Sequence, residues 1–144
     1  MEAINIDLSH LIFEITEYEL MMSENSPLES LNKLAENGFR FHLDDFGTGY
    51  SSITYLHHLP VESIKIDKSF IDEITPENDN KLLVDAIIDM SKALDLTITA
   101  EGVESEYQYN YLKDKMCETI QGYYFSRPLN VSDFEKYNKK FHTT

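Results

Sequence analysis

Five short apolar segments, spaced along the chain with helical punctuation between them, constrain the fold more than any other feature. They are Leu11 to Ile15 (LIFEI), Phe39 to Asp44, Ser63 to Asp67 (SIKID), Leu96 to Ala100 and Thr119 to Tyr123. Their starts lie roughly 20 to 35 residues apart, the repeat expected of βα units joined by right-handed crossovers. The repeat predicts an α/β fold with a parallel sheet, either open or part of a barrel. Between the strands, Ser26-Pro27-Leu28-Glu29 reads as a capping-box helix start with proline at the first helical position. Leu28, Leu31, Leu34 and Ala35 form that helix's stripe, and Asn37-Gly38 supplies its left-handed stop. A short helix runs from about Ser52 to His58, ended by Pro60, and Lys68 to Ile74 reads as a helical turn. Thr75 to Asn80 is a polar loop. Lys81 to Leu94 is the clearest helix, with Leu83, Ile87, Met90 and Leu94 at helical spacing. Ser105 with Gln108 opens a capped helix, and Ser132 to Glu135 caps a last one carrying Phe134, Tyr137 and Phe141.

A chain of 144 residues fits one core, so one domain is expected. The net charge of −14, from 12 basic and 26 acidic residues, leaves little room for a duplex-binding stripe and disfavours anionic membranes. An anionic ligand must then be met by metal ions or by a few placed cations. Cys117 is the only cysteine, which excludes an internal disulfide and fits a reducing compartment. The start, MEAINID, has no features of a signal peptide. No apolar run approaches the roughly 20 residues of a membrane span. The expectation is a soluble, cytoplasmic segment, or the cytoplasmic part of a larger membrane-anchored protein.

Chemistry concentrates at LDDFGTGYSS, Leu43 to Ser52, where two adjacent carboxylates end a strand and a Gly-Thr-Gly turn follows. Side chains alternate across a strand. Glu14 therefore lies opposite Leu11, Phe13 and Ile15; Asp44 opposite Phe39, Phe41 and Leu43; Lys65 opposite Ile64 and Ile66; Glu101 opposite Ile98 and Ala100; Gln121 opposite Ile120. In a barrel these polar groups converge on the axis at the carboxyl end of the strands. Converging carboxylates raise one another's pKa values, and Mg²⁺ or Mn²⁺ with oxygen ligands relieves that repulsion. A carboxylate shared by two ions is an arrangement used for phosphoester hydrolysis, where Lys65 could orient water or steady developing charge. Taken singly these residues are ordinary: a strand-end acid is most often solvated or a cap, and a lone lysine snorkels. His57-His58 reads as surface because adjacent helical side chains do not share a face. Tyr107, Tyr109 and Tyr111 read as helix packing.

The motifs FEITE (Phe13 to Glu17), LDDFGTGYSS, LPVESIKIDKSFI (Leu59 to Ile71), TAEGVES (Thr99 to Ser105) and QGYYFSRPL (Gln121 to Leu129), in that order, resemble EAL domains. These are phosphodiesterases of the bacterial second messenger cyclic di-GMP, and the resemblance runs from about Asn5 to Phe134. It implies a TIM-like barrel and hydrolysis of cyclic di-GMP to pGpG with two Mg²⁺ or Mn²⁺ ions. By matching position, Glu14 and Asp44 would be metal ligands, with Asp44 bridging, and Asp45 and Glu101 would serve the second metal. Lys65 would hold the attacking water and, with Glu101, counts as catalytic. Glu17 would anchor the loop after the aspartate pair, with Glu104 and Gln121 as supporting or substrate-side groups.

The chain departs from the family in lacking the Glu-Ala-Leu motif and the strand after it, with its metal-binding Asn. A complete eight-stranded barrel takes about 250 residues, so residues 1–144 are expected to form one incomplete EAL domain. That is a partial TIM-like (β/α) barrel of about five of eight βα units. Its expected partners are cyclic di-GMP and either the upstream remainder of the barrel or a second copy, since open sheet edges self-associate. Alone it is expected to hydrolyse little. The alternative is a catalytically degenerate EAL module that binds cyclic di-GMP or a protein partner. An enolase-type Mg²⁺ barrel is disfavoured by Asp44-Asp45 standing before Gly47-Thr48-Gly49.

Overall fold

The structure, a computed structural model, describes residues 8, 11–22, 27–48, 53–78 and 81–141. The Ser26 cap, Asn5 and the second half of the GTGYSS turn lie outside them. The strands are β1 (Ile12–Thr16), β2 (Arg40–Phe46), β3 (Ser63–Ile66), β4 (Thr97–Ala100) and β5 (Thr119–Ile120). The helices are α1 (Glu17–Met22), α2 (Leu28–Glu36), α3 (Ile53–Leu56), α4 (Lys68–Asp72), α5 (Leu82–Ala93), α6 (Glu106–Asp114) and α7 (Val131–Phe141). All four strand pairings are parallel, and the sheet order is the sequence order, β1-β2-β3-β4-β5. The fold is α/β with a parallel sheet, as the strand repeat predicts, and a partial barrel, as the family resemblance implies.

The centre of the sheet is its driest part. β3 is buried on both faces, Ser63 to Ile66, and Ile64, Ile66, Ile98, Ala100 and Val103 are sealed from solvent. Parallel strands covered on both sides stabilise in this way, each fully buried aliphatic side chain contributing about 1.5–3 kcal/mol.

Several local expectations need correction. β1 is not a buried strand: Ile12 and Phe13 are exposed. β1 is the sheet's first edge, and among the described residues the Phe13 ring packs against those of Phe39 and Phe41. The buried face of α5 is Val84, Ile87, Ile88 and Ser91 rather than a stripe starting at Leu83, which is exposed. Ser91 tolerates the core because its hydroxyl donates to the Ile87 carbonyl. β5 stops at Ile120 instead of Tyr123, and residues 123–125 form a turn. α7 is capped by Asn130, whose Oδ1 accepts from the Asp133 amide at 3.0 Å, so Ser132 lies inside the helix. Helix α1 has no counterpart in the strand-and-helix reading. Its signal was a capping box, in which Thr16 Oγ1 accepts from the Glu19 amide and Glu19 Oε2 accepts from the Thr16 amide.

Outside the sheet, α5 and α6 are joined by a polar staple. Asp85 pairs with Lys115 at 2.8 Å and accepts a hydrogen bond from the Tyr111 hydroxyl. Burial pushes the Asp85 carboxyl up, but the bonds from Lys115 and Tyr111 outweigh it and hold the group below the ordinary aspartate range. A carboxyl depressed in the folded state stabilises above its unfolded pKa, and that contribution fades as pH falls through the folded value. Asp85→Asn is therefore expected to cost about 1 kcal/mol at pH 7. The deficit should close as pH falls below about 4, which urea unfolding at several pH values will measure.

Candidate functional site

The centre of the site is Lys65, the third residue of β3. The side chains on either side of it are aliphatic and face away, so the alternation of a doubly covered strand aims the lysine into the barrel side of the sheet. Its Nζ lies 2.8 Å from Glu14 Oε1, 3.1 Å from Asp44 Oδ1 and 2.9 Å from Glu101 Oε1. These three acids come from β1, β2 and the residue after β4. The lysine side chain is only 7% exposed, so it is not a snorkelling surface group. Burial would lower its pKa, but the bonds to Glu101, Glu14 and Asp44 overcome that and hold the ammonium well above the ordinary lysine value. Lys65 stays charged through the whole physiological range.

Asp45 stands apart from this cage. Strand parity would turn it away from Asp44, but β2 shifts register between Leu43 and Phe46, and Asp45 adopts φ 53°. Such local irregularities re-aim side chains beside active sites. The Asp45 carbonyl accepts from the Thr48 hydroxyl at 2.8 Å, and the Asp45 amide donates to Asp44 Oδ1 at 3.0 Å. Burial first, then repulsion from Asp44 and Asp67, push the Asp45 carboxyl up. Asp67, which sequence reasoning did not single out, caps α4 by accepting from the Ser69 amide at 3.0 Å.

Glu17, 2% exposed, opens α1 directly after β1, and its Oε2 accepts from the Gly47 amide at 3.0 Å. It ties the start of the loop that follows Asp44-Asp45 to the neighbouring βα unit. Glu17→Ala is expected to speed hydrogen exchange at the Gly47 amide by about tenfold or more, the loss of one buried hydrogen bond. The Ile64 amide in β3 should be unaffected, and exchange mass spectrometry reads both.

The loop from Glu101 to Ser105 forms the other wall. The Glu101 amide donates to the Ile66 carbonyl at 3.2 Å, Val103 donates to Gln121 at 3.0 Å, and Tyr124 donates to Val103 at 2.9 Å. Glu104 pairs with Lys68 at 3.3 Å, and Lys68 also pairs with Asp72 at 2.6 Å. A cleft of about 270 Å³ opens here, lined by Lys68, Glu101, Gly102, Glu104, Gln121 and Tyr123. Gln121 thus sits beside Glu101, exposed and past the end of β5. The larger cavity, about 530 Å³ between β5 and α7, lies away from the lysine.

The donors suit hard divalent cations, being carboxylate oxygens gathered on one cationic point. Among the described residues, however, no three His, Cys, Asp or Glu side chains form a group that could hold a metal ion by themselves. The acids meet across Lys65 rather than on one another. Also among the described residues, no helix is long and apolar enough to cross a membrane.

Comparison with known proteins agrees with the geometry. Residues 2–128 match the EAL domain. The chain is 41% identical over 127 residues to the probable cyclic di-GMP phosphodiesterase PdeG of Escherichia coli, covering 88% of this chain and 25% of that protein. Among solved structures, the PaMucR phosphodiesterase in complex with c-di-GMP superposes with a TM-score of 0.82 at 40% identity, over 88% of this chain and 51% of that one. Klebsiella pneumoniae BlrP1 with manganese and cyclic di-GMP gives 0.76 at 28%, over 85% and 31%. The chain thus spans a quarter of the length of PdeG and half that of the PaMucR structure. From five in-order parallel strands, acids around a buried lysine and a match over nearly its whole length, the chain belongs to the EAL domain family.

Proposed function

We propose that residues 1–144 are one incomplete EAL domain that supplies part of a divalent-metal site hydrolysing cyclic di-GMP to pGpG. The observation that carries this reading is the cage itself: three acids from separate strands or strand ends, each within 3.1 Å of a lysine that stays charged. Glu14, Asp44, Asp45 and Glu101 are the residues that would hold the ions. Bound Mg²⁺ or Mn²⁺ ions would supply water of lowered pKa and neutralise the phosphoryl oxygens. With those acids turned to the ions, Lys65 would be free to donate a hydrogen bond toward the attacking water, and its positive charge would offset the anionic charge building at phosphorus. Glu101 orients that lysine from the opposite wall. Glu17 holds the Asp44-Asp45 loop in place. Glu104 and Gln121 line the cleft beside Glu101, where part of the dinucleotide would rest.

The test is calorimetric titration of the chain with cyclic di-GMP in the presence of Mn²⁺, with chromatography for pGpG. Binding with slow turnover is expected, with Glu101→Gln abolishing the turnover. Absence of any binding overturns the assignment. A second reading, a module that binds cyclic di-GMP or a protein without hydrolysing it, is favoured by the share of the domain present, 51% of the PaMucR chain. Turnover that stays absent when the remaining half of a relative's barrel is added in trans decides for it.

The same share supports the partner assignment. β1 and β5 are the two ends of the sheet, and Phe13 near one and Phe134 near the other are exposed. The remainder of a barrel, or a second copy, would cover them. Size-exclusion chromatography is expected to show self-association of the chain alone, and a compact monomer at high concentration would count against it.

A further inference from the structure

The geometry points to Gln108 as a positioning residue, which locks the acidic loop Glu101 to Ser105 onto helix α4 and thereby sets Glu101 against Lys65. As the third residue of α6, Gln108 completes a capping box with Ser105, and a capping glutamine is ordinarily a surface group whose amide nitrogen meets water. This one is 7% exposed and uses its whole side chain. Its Oε1 accepts from the amides of Glu104 at 2.8 Å and Ser105 at 3.0 Å. Its Nε2 donates 3.0 Å across to the carbonyl of Ile71, in the last turn of α4. The last bond is not a capping contact. It joins two βα units.

The consequence follows from where α4 stands. It begins directly after β3, one residue beyond the strand that carries Lys65, with Asp67 as its cap. Ile71 is sealed in the core, so its carbonyl is a fixed point relative to Lys65. Lys68 of the same helix reaches Glu104. The acidic loop is therefore held to the lysine's own helix twice near Glu104, once by an exposed ion pair and once by a buried amide. Exposed pairs contribute little, while the Gln108 amide is itself buried and its bond to the Ile71 carbonyl, which also accepts from the Ile74 amide, lies out of water, where a lost partner costs more. Gln108 is the stronger of the two ties. That it serves metal-dependent hydrolysis rests on the function proposed above; that it positions Glu101 does not.

The Lys65 ammonium signal in ¹H–¹⁵N spectra of the lysine-labelled chain tests this without metal, assigned by its loss in Lys65→Arg. Gln108→Glu keeps the acceptor and replaces the donor facing Ile71; Gln108→Met keeps the length and removes both, and serves if the charged variant fails to fold. Either is expected to shift or broaden the Lys65 signal and speed its hydrogen exchange at least threefold. Ile88→Val, a core variant of matched thermal loss, should leave the signal unchanged. Mn²⁺ half-saturation, read by loss of the free-ion electron paramagnetic resonance signal, should rise at least fivefold in the Gln108 variants and stay constant in the control. A folded Gln108 variant with a wild-type Lys65 signal overturns the inference. A wild-type chain that binds no Mn²⁺ overturns the metal reading instead, and the ammonium signal still decides the role of Gln108.

Discussion

Lys65→Met is expected to lower the stability of the metal-free chain by about 2–3 kcal/mol and to make that stability depend on divalent cations. Removing one partner of a buried ionic group leaves the others uncompensated, at a cost of about 3–5 kcal/mol when all are buried. Here the lysine is buried but Glu14 is half exposed and Asp44 and Glu101 are each about a fifth exposed, so solvent screening reduces the figure. Methionine keeps the packing of the stem and deletes only the charge. The three acids then face one another with nothing between them, and a divalent cation becomes the replacement for the lost ammonium. Thermal unfolding followed by circular dichroism, in chelator and then in millimolar Mn²⁺, should show a large deficit that shrinks on adding metal. A deficit of the same size in both would mean that the cage does not answer to cations. A wild-type melting temperature in chelator would mean that the ion pairs contribute nothing.

Gly122→Ala should be the most damaging small substitution outside the core, at roughly 3 kcal/mol or more. A Cβ at Gly122 would lie 2.1 Å from the Val103 carbonyl oxygen and 2.3 Å from its nitrogen. Both are backbone atoms, so no rotamer change relieves the clash, and one strand segment must move away from the other. The segments that would part are the acidic loop and the turn after β5, joined there by the Val103–Gln121 and Tyr124–Val103 hydrogen bonds. Gly38→Ala provides the contrast. Gly38 has φ +89° with no atom within 4 Å of its would-be Cβ, so alanine there meets only backbone strain, about 1–2 kcal/mol. At roughly 3 °C per kcal/mol for a chain of this size, Gly122→Ala should melt several degrees below Gly38→Ala. Equal melting temperatures would show that the two loops are not in contact.

Much of the fold was readable because its signals are local. Strand spacing carried the parallel α/β layout, and parity carried Glu14, Asp44 and Lys65 to one side of the sheet, where distances of 2.8 and 3.1 Å now join them. Parity does not extend to Asp45, where β2 shifts register and the backbone turns to φ 53°, and nothing in a run of residues announces that. The α5 stripe was misplaced because hydrophobicity favoured Leu83 over Ser91, whereas burial followed the helical geometry and a hydroxyl that satisfies itself. Lys68, Asp67 and the second half of Gln108's role were out of reach. Lys68 and Gln108 depend on partners in another βα unit, Glu104 and Ile71, and the pairing of units is set by packing rather than by neighbours in sequence; Asp67 caps its own helix through Ser69. The capping box at Thr16 was within reach, since Thr-x-x-Glu before a helix is a sequence signal.

Strand order in this sheet is the order of synthesis. Each strand after β1 pairs with the one made just before it, and the register partners farthest apart in sequence are those of β3 and β4. Loop closure between successive strands therefore stays modest, while the parallel pairing itself is of the kind that forms slowly. Each of β2 to β5 leaves the ribosome after the strand it pairs with, so the order of synthesis is compatible with a sheet that lengthens one strand at a time. A nick in a connecting loop would leave two pieces whose facing strand edges are those of one sequential parallel pair.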